Sequence, residues 1–516
     1  MSTGKFFQLN PQKGLAKSAG IISLATLLSR LLGFVRDIII ARMFGIYIYA
    51  QAFVIAFRLP NLFRDLIGEG AGNAAIVPVL CEYKIKKSKE EFWQLANILL
   101  NLLLVILGVI TIFGVIFAPL LVRLIAPGFI ASPDKLALTI KLTRIIFPYI
   151  LLIGLAAYAM AMLNSLKNFT VSAFAPCLLN ISIIVFALWF GEGIKGLGFG
   201  VLVGGALQLL VQLPVLYKQG FRFKPLLRIN HPGVKQIGKL MMPRVFSSGI
   251  YQLNNFMDSI FASFAWIVGD GAIAVLYFAY RLIQFPLGIF SNAISQVVLP
   301  TFSAQALEPG LKELKTTLSW ALRMVFFVLL PATVIYMVLA RSLIFTFFGG
   351  GKFDFHSGVL TAQALFFYSI GLCAYGGTKI LQSCFFALKD TLTTTKVAFV
   401  ALIINLLLNA ALMFPLKIAG LALATSISGI SGFCILFSIL YKRLGGVESK
   451  LIGISCLRIL AASLAMGAIA FLVNNALNVF WALASAVLAY IFFCFIFKVE
   501  EMRQLFNWLM RPECLK

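Results

Sequence analysis

Charge is scarce in this sequence. Only 12% of its 516 residues are Asp, Glu, Lys or Arg, about half the share usual in soluble domains. Acid is scarcest, with 18 Asp and Glu against 43 Lys and Arg. No DxD, HxxxD or DDxxD spacing occurs, so the clustered carboxylates that would hold metal ions in an enzyme of polyprenyl phosphates are missing. His231 and His356 are the only histidines, too few for a His-based metal or catalytic centre. The eight cysteines are scattered without a CxxC pair; that excludes a zinc ribbon or dithiol motif and leaves helix packing as their role. Period-two alternation is also missing, which argues against a β-barrel.

What is present is apolar: 61% of residues are hydrophobic and the mean hydropathy is +0.98. Continuous runs of about 20 apolar residues, each long enough to cross a bilayer, recur from 18–43 through 478–498. We expect an all-α polytopic membrane protein with about fourteen transmembrane helices. Residues 1–13 are polar and no small-residue cleavage site follows the first run, so no cleavable signal is expected. The net charge of +25 would suggest nucleic acid in a soluble protein. Here the cations gather in alternate loops, "EYKIKKSKEEF" (82–92), "YKQGFRFKPLLRINHPGVKQIGK" (217–239) and "YKRLGGVESK" (441–450), while "IYIY" (46–49), "VGDG" (268–271) and "NNALN" (474–478) are poor in Lys and Arg. The positive-inside rule accounts for this pattern, with no nucleic-acid partner and with both termini in the cytoplasm.

The chain repeats itself. "AFRLPNLF" (56–63) matches "AYRLIQFP" (279–286), "SLKN" (165–168) matches "ALKD" (387–390), "KGLGFG" (195–200) matches "AGLALA" (419–424), and "LYK" closes both units at 216–218 and 440–442, all at offsets of 222–224. Six spans per unit is an even number, so two parallel six-helix bundles are expected, related by a pseudo-twofold axis along the membrane normal. The expected organisation is an N-terminal bundle over 1–217, a basic cytoplasmic linker over 218–236, a C-terminal bundle over 237–441, two extra helices over 442–499 and an amphipathic cytoplasmic tail over 500–516. Such a layout suits a transporter whose substrate site lies between the halves near mid-membrane.

Several ionisable residues lie where lipid should be. "LLSRLLGFVRDIIIARMFG" (27–45) carries Arg30, Arg36, Asp37 and Arg42. On a helix Arg30 and Asp37 share a face, and Arg36 points about 100° away from Asp37. The second span carries Arg58, Arg64, Asp65 and Glu69; Arg281 holds the matching place in the second half, and Lys379 lies in the tenth span. Snorkelling to the headgroups suits Arg42, Arg123, Lys141 and Arg323, which lie near helix ends. For Arg36, Arg64 and Arg281 two readings stand: ion pairs, such as Arg36 with Asp37 or Glu69, or a cationic, water-filled cavity for an anion, since guanidinium forks match phosphate oxygens. A separate oxygen-rich group is expected from Asp258, Asn405, Asn409, Thr425 and the carbonyl of Leu421. It would either hold a monovalent cation such as Na⁺ or hydrogen-bond packed helices. No other cofactor is expected.

"SRLLGFVRDIIIARMFG" (29–45), "LPNLFRDLIGEGAGNAAIVPVLCEY" (59–83), "APGF" (126–129), "FPYILLIGLAAYAMAMLN" (147–164) and "YRLIQFPLGIF" (280–290) together resemble the MurJ (MviN) family, lipid II flippases of the MOP exporter superfamily. The resemblance covers nearly the whole chain. It implies a transporter rather than an enzyme, moving undecaprenyl-pyrophosphoryl disaccharide-pentapeptide from the inner to the outer leaflet of the bacterial cytoplasmic membrane. It implies a pyrophosphate cavity lined by Arg36, Arg64 and Arg281, supported by Arg30, Asp37, Glu69, Arg58 and Lys379, and a lipid-tail groove formed by spans 13 and 14. It also implies a Na⁺ site of the kind described, and a monomer among membrane lipids, associated with the cell-wall synthesis machinery. Gln51, Asp65 and Gln284 depart from common family residues. The alternative reading is a MOP-type exporter of another polyprenyl-linked glycan.

Overall fold

The computed structural model describes residues 11–64, 71–191, 193–308 and 310–510, with side chains described except at 11–19, 63–64, 71–74, 243–248, 250–251, 255, 505 and 507–510. Over these residues the chain is helical; an isolated bridge between Gly350 and Phe353 is the sole extended pairing among them. Two compact units emerge: Met1–Phe44 with Ile48–Gln252, and Gly45–Tyr47 with Leu253–Lys516.

The first unit holds α1 (Pro11–Phe44), α2 (Ile48–Arg64), α3 (Ala71–Lys86), α4 (Lys89–Ile116), α5 (Ala118–Ile125), α6 (Pro133–Ile146), α7 (Tyr149–Ser165), α8 (Thr170–Phe190), α9 (Ile194–Leu210), α10 (Leu213–Lys218) and most of α11 (Pro232–Ser263). Local chemistry sets the start of α4: Ser88 accepts from the Glu91 amide and Glu91 accepts from the Ser88 amide, a capping box that satisfies two orphan donors. Close approach of α8 and α9 rests on small residues. A methyl group on Gly200 or Gly204 would lie 2.9 Å from the Cα of Ile183 or Leu179, so only glycine lets these backbones meet. Phe92, Leu95 and Leu99 of α4 pack with Tyr158 and Met162 of α7 and with Phe221 and Ile237. Tyr158 donates its hydroxyl to the Ala96 carbonyl at 2.8 Å.

The second unit contains α12 (Ala265–Val268), α13 (Ala272–Pro286), α14 (Asn292–Gln305), α15 (Lys312–Val338), α16 (Ala340–Phe348), α17 (Phe355–Ile370), α18 (Leu372–Ala387), α19 (Thr391–Leu412), α20 (Lys417–Arg443), α21 (Ser449–Ala476), α22 (Val479–Ile496) and α23 (Glu500–Met510). A π-helical turn, Leu287–Ser291, joins α13 to α14. Pro286 has no amide hydrogen to give the Leu282 carbonyl, and the Tyr336 hydroxyl takes its place at 3.0 Å. Between α17 and α18 the axis bends by 43°. The carbonyls of Phe367 and Tyr368 near that break accept from Ser426 at 2.6 and 3.2 Å.

Ten helical segments among the described residues are long and apolar enough to cross a membrane, or eleven with the bent α17–α18 pair. The three other expected spans, 18–43, 50–82 and 237–266, fall on α1, on α2 with α3, and on α11, each of which includes side chains outside the described set. Bare apolar side chains such as Trp189, Leu407 and Leu488 cover the outer surface. The protein is a multi-pass membrane protein.

Residues 221–228, within the expected basic linker, form an irregular strap held against α4, and the compact units divide further on, inside α11. One sequence expectation meets a different local structure. Arg323 does not snorkel. It is buried on α15, donating through Nε to Glu501 at 2.5 Å and through Nη2 to Glu500 at 3.0 Å. Ser455 of α21 also donates to Glu501, at 2.8 Å. The tail helix α23 brings both carboxylates to this cation, which no inspection of the ninth span alone reveals. Around the pair, Phe327, Ile459, Cys494, Val499 and Met502 tie α15, α21, α22 and α23 together.

Candidate functional site

In the first unit the chemistry centres on α1 and α8. Arg36 is 4% exposed and Asp37 is fully buried. Arg36 donates through Nε and Nη2 to Asp37 Oδ1 at 3.0 and 2.8 Å, and through Nη1 to Asn180 Oδ1 at 3.0 Å. Asn180 anchors itself to the first helix by donating to the Ser29 carbonyl at 3.1 Å. The Arg36 guanidinium carbon lies 5.8 Å from the centroid of the Phe57 ring, which supplies a π face. Helical projection separates Arg36 and Asp37 by about 100°, but the arginine arm is long enough to fold back. Of the two readings open for this residue, its described side chain makes the ion pair. Such a pair, taken out of water, holds only while both charges stay.

Arg30 on α1 and Arg58 on α2 are half-buried. The side chain of Arg64, and Asp65 and Glu69 entirely, lie outside the described residues. Gln51 is buried on α2.

In the second unit Arg281 is half-buried on α13, its guanidinium carbon 5.7 Å from the ring centroid of Tyr277 one turn earlier. Gln284 follows it, half-buried. Lys379 on α18 is exposed, and its carbonyl accepts from Ser295 at 3.4 Å.

The oxygen-rich group assembles from three helices. Asp258 of α11 accepts from Asn409 Nδ2 at 3.0 Å and from the Thr425 hydroxyl at 3.3 Å. Asn409 also donates to Asn405 Oδ1 at 2.9 Å, and Asn405 donates to Thr425 at 3.3 Å. Thr425 lies 3.1 Å from the Leu421 carbonyl. Asn405 and Asn409 are fully buried, one helical turn apart on α19. The Asn409 Oδ1 atom is buried without a hydrogen-bond partner, a costly state. One carboxylate, two carboxamides, a hydroxyl and a carbonyl make an all-oxygen donor set. Among the described residues no three His, Cys, Asp or Glu converge. A single anionic ligand suits a singly charged cation better than a divalent one.

Asn180 is the residue that sequence reasoning missed. Its signal was a lone carboxamide in the apolar run "CLLNISIIV" (177–185), lying 225 residues before Asn405.

Comparison with known proteins places the chain. The family model "Lipid II flippase MurJ" matches residues 40–492. A probable lipid II flippase MurJ of Buchnera aphidicola subsp. Acyrthosiphon pisum is 38% identical over 463 residues, 89% of this chain and 90% of that one. The lipid II flippase MurJ of Burkholderia cenocepacia is 35% identical over 426 residues, 81% of this chain and 82% of that one. Among solved structures, a lipid II flippase MurJ in an inward closed conformation superposes with a TM-score of 0.79 at 28% identity, covering 94% of this chain and 99% of that one. A MATE-family multidrug transporter of the MOP superfamily shares the fold, with a TM-score of 0.69 at 16% identity over 81% of this chain and 94% of that one. Matched by the family model over most of its length and by near full-length relatives, the chain belongs to the MurJ family of lipid II flippases.

Proposed function

We propose that this protein is a transporter that flips lipid II across the cytoplasmic membrane, from the inner to the outer leaflet, without altering it chemically. The observation that carries this is the family match over residues 40–492. Membership makes the chain a transporter and not an enzyme. The solved MurJ relative is described as an inward closed conformation, and a closed form is one of the states that alternating access requires.

On this reading Arg36, Arg64 and Arg281 bind the pyrophosphate. Guanidinium forks satisfy phosphate oxygens in pairs, and the head group cannot cross hydrocarbon without such partners. Arg36 serves as an exchangeable ligand: Asp37 and Asn180 orient its guanidinium, and a diphosphate, carrying more charge than one carboxylate, competes for it. The lipid tail stays in the bilayer along α21 and α22. The chain acts as a monomer with both termini in the cytoplasm, beside the enzymes that make and use its substrate.

The Asp258 group fits Na⁺. When bound there, the ion would neutralise the one buried carboxylate. Asn409 must then turn its carboxamide, because its Nδ2 now occupies the oxygens that the ion needs; the turn presents the orphaned Oδ1 instead. The membrane potential is a second source of drive, favouring outward movement of phosphate by about 2.3 kcal/mol per charge per 100 mV.

The decisive experiment is complementation of a strain depleted of its lipid II flippase. Wild-type protein should restore growth. R64A and R281A should accumulate in the membrane yet fail, and R281K should rescue poorly. Normal growth with R64A or R281A overturns the assignment of the pyrophosphate site, and failure of the wild-type chain overturns the substrate.

A further inference from the structure

The strap that follows α10 is fastened to α4 by two asparagines. Asn97 donates to the Arg222 carbonyl at 3.0 Å and accepts from the Lys224 amide at 2.7 Å. Asn101 donates to the Lys224 carbonyl at 2.7 Å and to the Leu226 carbonyl at 3.3 Å. Both asparagines are buried. The two carboxamides lie one helical turn, about 6 Å, apart on α4. The strap turns at Lys224, whose carbonyl also accepts from the Leu226 amide at 2.9 Å, and the backbone groups the two asparagines hold lie two residues apart.

The strap lies along the first turns of the apolar run of α4, which begins at Phe92. Backbone laid against an apolar helix finds few polar partners, and a buried group left without one is costly; the two asparagines supply those partners. The side chains the strap carries are not sheltered by protein. Phe223, Leu227 and Ile229 are 51%, 56% and 63% exposed, and Arg222, Lys224 and Arg228 are exposed beside them. Arg222 donates to the carbonyls of Phe221 and Tyr217 at 3.0 and 3.2 Å and lies 5.9 Å from the Tyr217 ring centroid. None of the three cations makes an ion pair among the described residues. The nearby acids are engaged elsewhere, Glu82 with Lys86 and Gln236, and Glu91 with Lys87 and the Ser88 amide. His231 at the end of the strap is held below its usual pKa, first by burial and then by Arg228, with Glu91 opposing.

We propose that residues 222–229 dock an anionic phospholipid of the surrounding bilayer. Arg222, Lys224 and Arg228 hold its headgroup phosphate, and Phe223, Leu227 and Ile229 enter its acyl chains. Cations and bare apolar side chains interleaved at headgroup depth complement such a lipid, whereas a soluble partner would have to displace the bilayer to reach them. This proposal does not depend on what the protein transports.

The test uses the full chain in nanodiscs of phosphatidylglycerol and phosphatidylcholine in equal parts, with retained lipid counted by native mass spectrometry. Wild type should retain phosphatidylglycerol preferentially. Each interfacial cation contributes about fivefold, so R222Q/K224Q/R228Q should weaken the preference on the order of 100-fold. A control, K442Q/K450Q, removes two exposed lysines of the second unit and should leave it intact. Amide exchange over 222–229 should be slower in mixed discs than in phosphatidylcholine alone. Equal retention by wild type and the triple variant, an equal loss in the control, or exchange indifferent to lipid charge each overturns the proposal.

Discussion

In the first unit α1 and α8 bury Asp37 and Asn180 with the guanidinium of Arg36 between them. In the second, α11 and α19 bury Asn405 beside Asp258, and Met257 occupies the place of Arg36. The offsets, 221 for the Asp and Met pairs and 225 for the Asn pair, bracket those of the internal repeat. The second unit adds Asn409 and Thr425 where the first has Ile184 and Val201, at offsets of 225 and 224. Each unit thus places a carboxylate and a buried carboxamide at comparable sequence positions, in different surroundings. Where the cation is covalently attached, a carboxylate and a carboxamide are among its acceptors. Where it is absent, extra oxygens gather, and their amide hydrogens stand in for positive charge.

The strongest way to break this comparison is R36M, which gives the first unit the residue of the second. Asp37 then gives up the Arg36 guanidinium, and the loss should be about 3–5 kcal/mol, read as a large fall in detergent melting temperature. R36M/D37N should recover most of that stability while growth still fails. If R36M alone melts like wild type, the tethered-cation account is wrong.

Next comes the carboxamide pair. N180A removes a hydrogen bond to a charged group and should cost about 1.5–3 kcal/mol, whereas N405A removes neutral bonds and should cost about 0.5–1.5 kcal/mol. Equal melting temperatures for the two variants would remove the electrostatic difference between the units.

The smallest stability effect belongs to D258N, which keeps the shape but turns one acceptor oxygen into a donor; the Thr425 hydroxyl can accept from that amide and donate to the Leu421 carbonyl 3.1 Å away, so the cost should be under about 1 kcal/mol. Its effect should appear in salt response. Wild type should melt higher in NaCl than in choline chloride, since a ligand that binds only the folded state stabilises it, and D258N should show no such difference. If neither protein distinguishes Na⁺ from choline, the Asp258 group is interhelical packing.

Much of this was legible in the sequence because hydropathy and repeat spacing are properties of a helix read by itself. The ten or eleven apolar spans followed from hydropathy, and the four-residue spacing of Asn405 and Asn409 put them on one face of α19. What a second helix brings was not legible. Arg36 projects away from Asp37 on a helical wheel, and Asn180, a further acceptor for it, comes from α8. Arg323 resembled a snorkelling end residue because Glu501 lies 178 residues away. Asn97 and Asn101 looked like blemishes in an apolar run, since nothing in α4 announces that an unpaired strap will need their carboxamides.

The Arg323–Glu501 pair also sets an order on biogenesis. Arg323 leaves the ribosome and enters the bilayer 177 residues before Glu500 and 178 before Glu501. During that interval α15 carries a charge whose final partners do not yet exist. A chain broken off between residues 324 and 499 keeps the arginine and never gains the carboxylates, and a buried charge without its partner is costly. Pulse-chase labelling should show a fragment ending at residue 499 degraded faster than the same fragment carrying R323L.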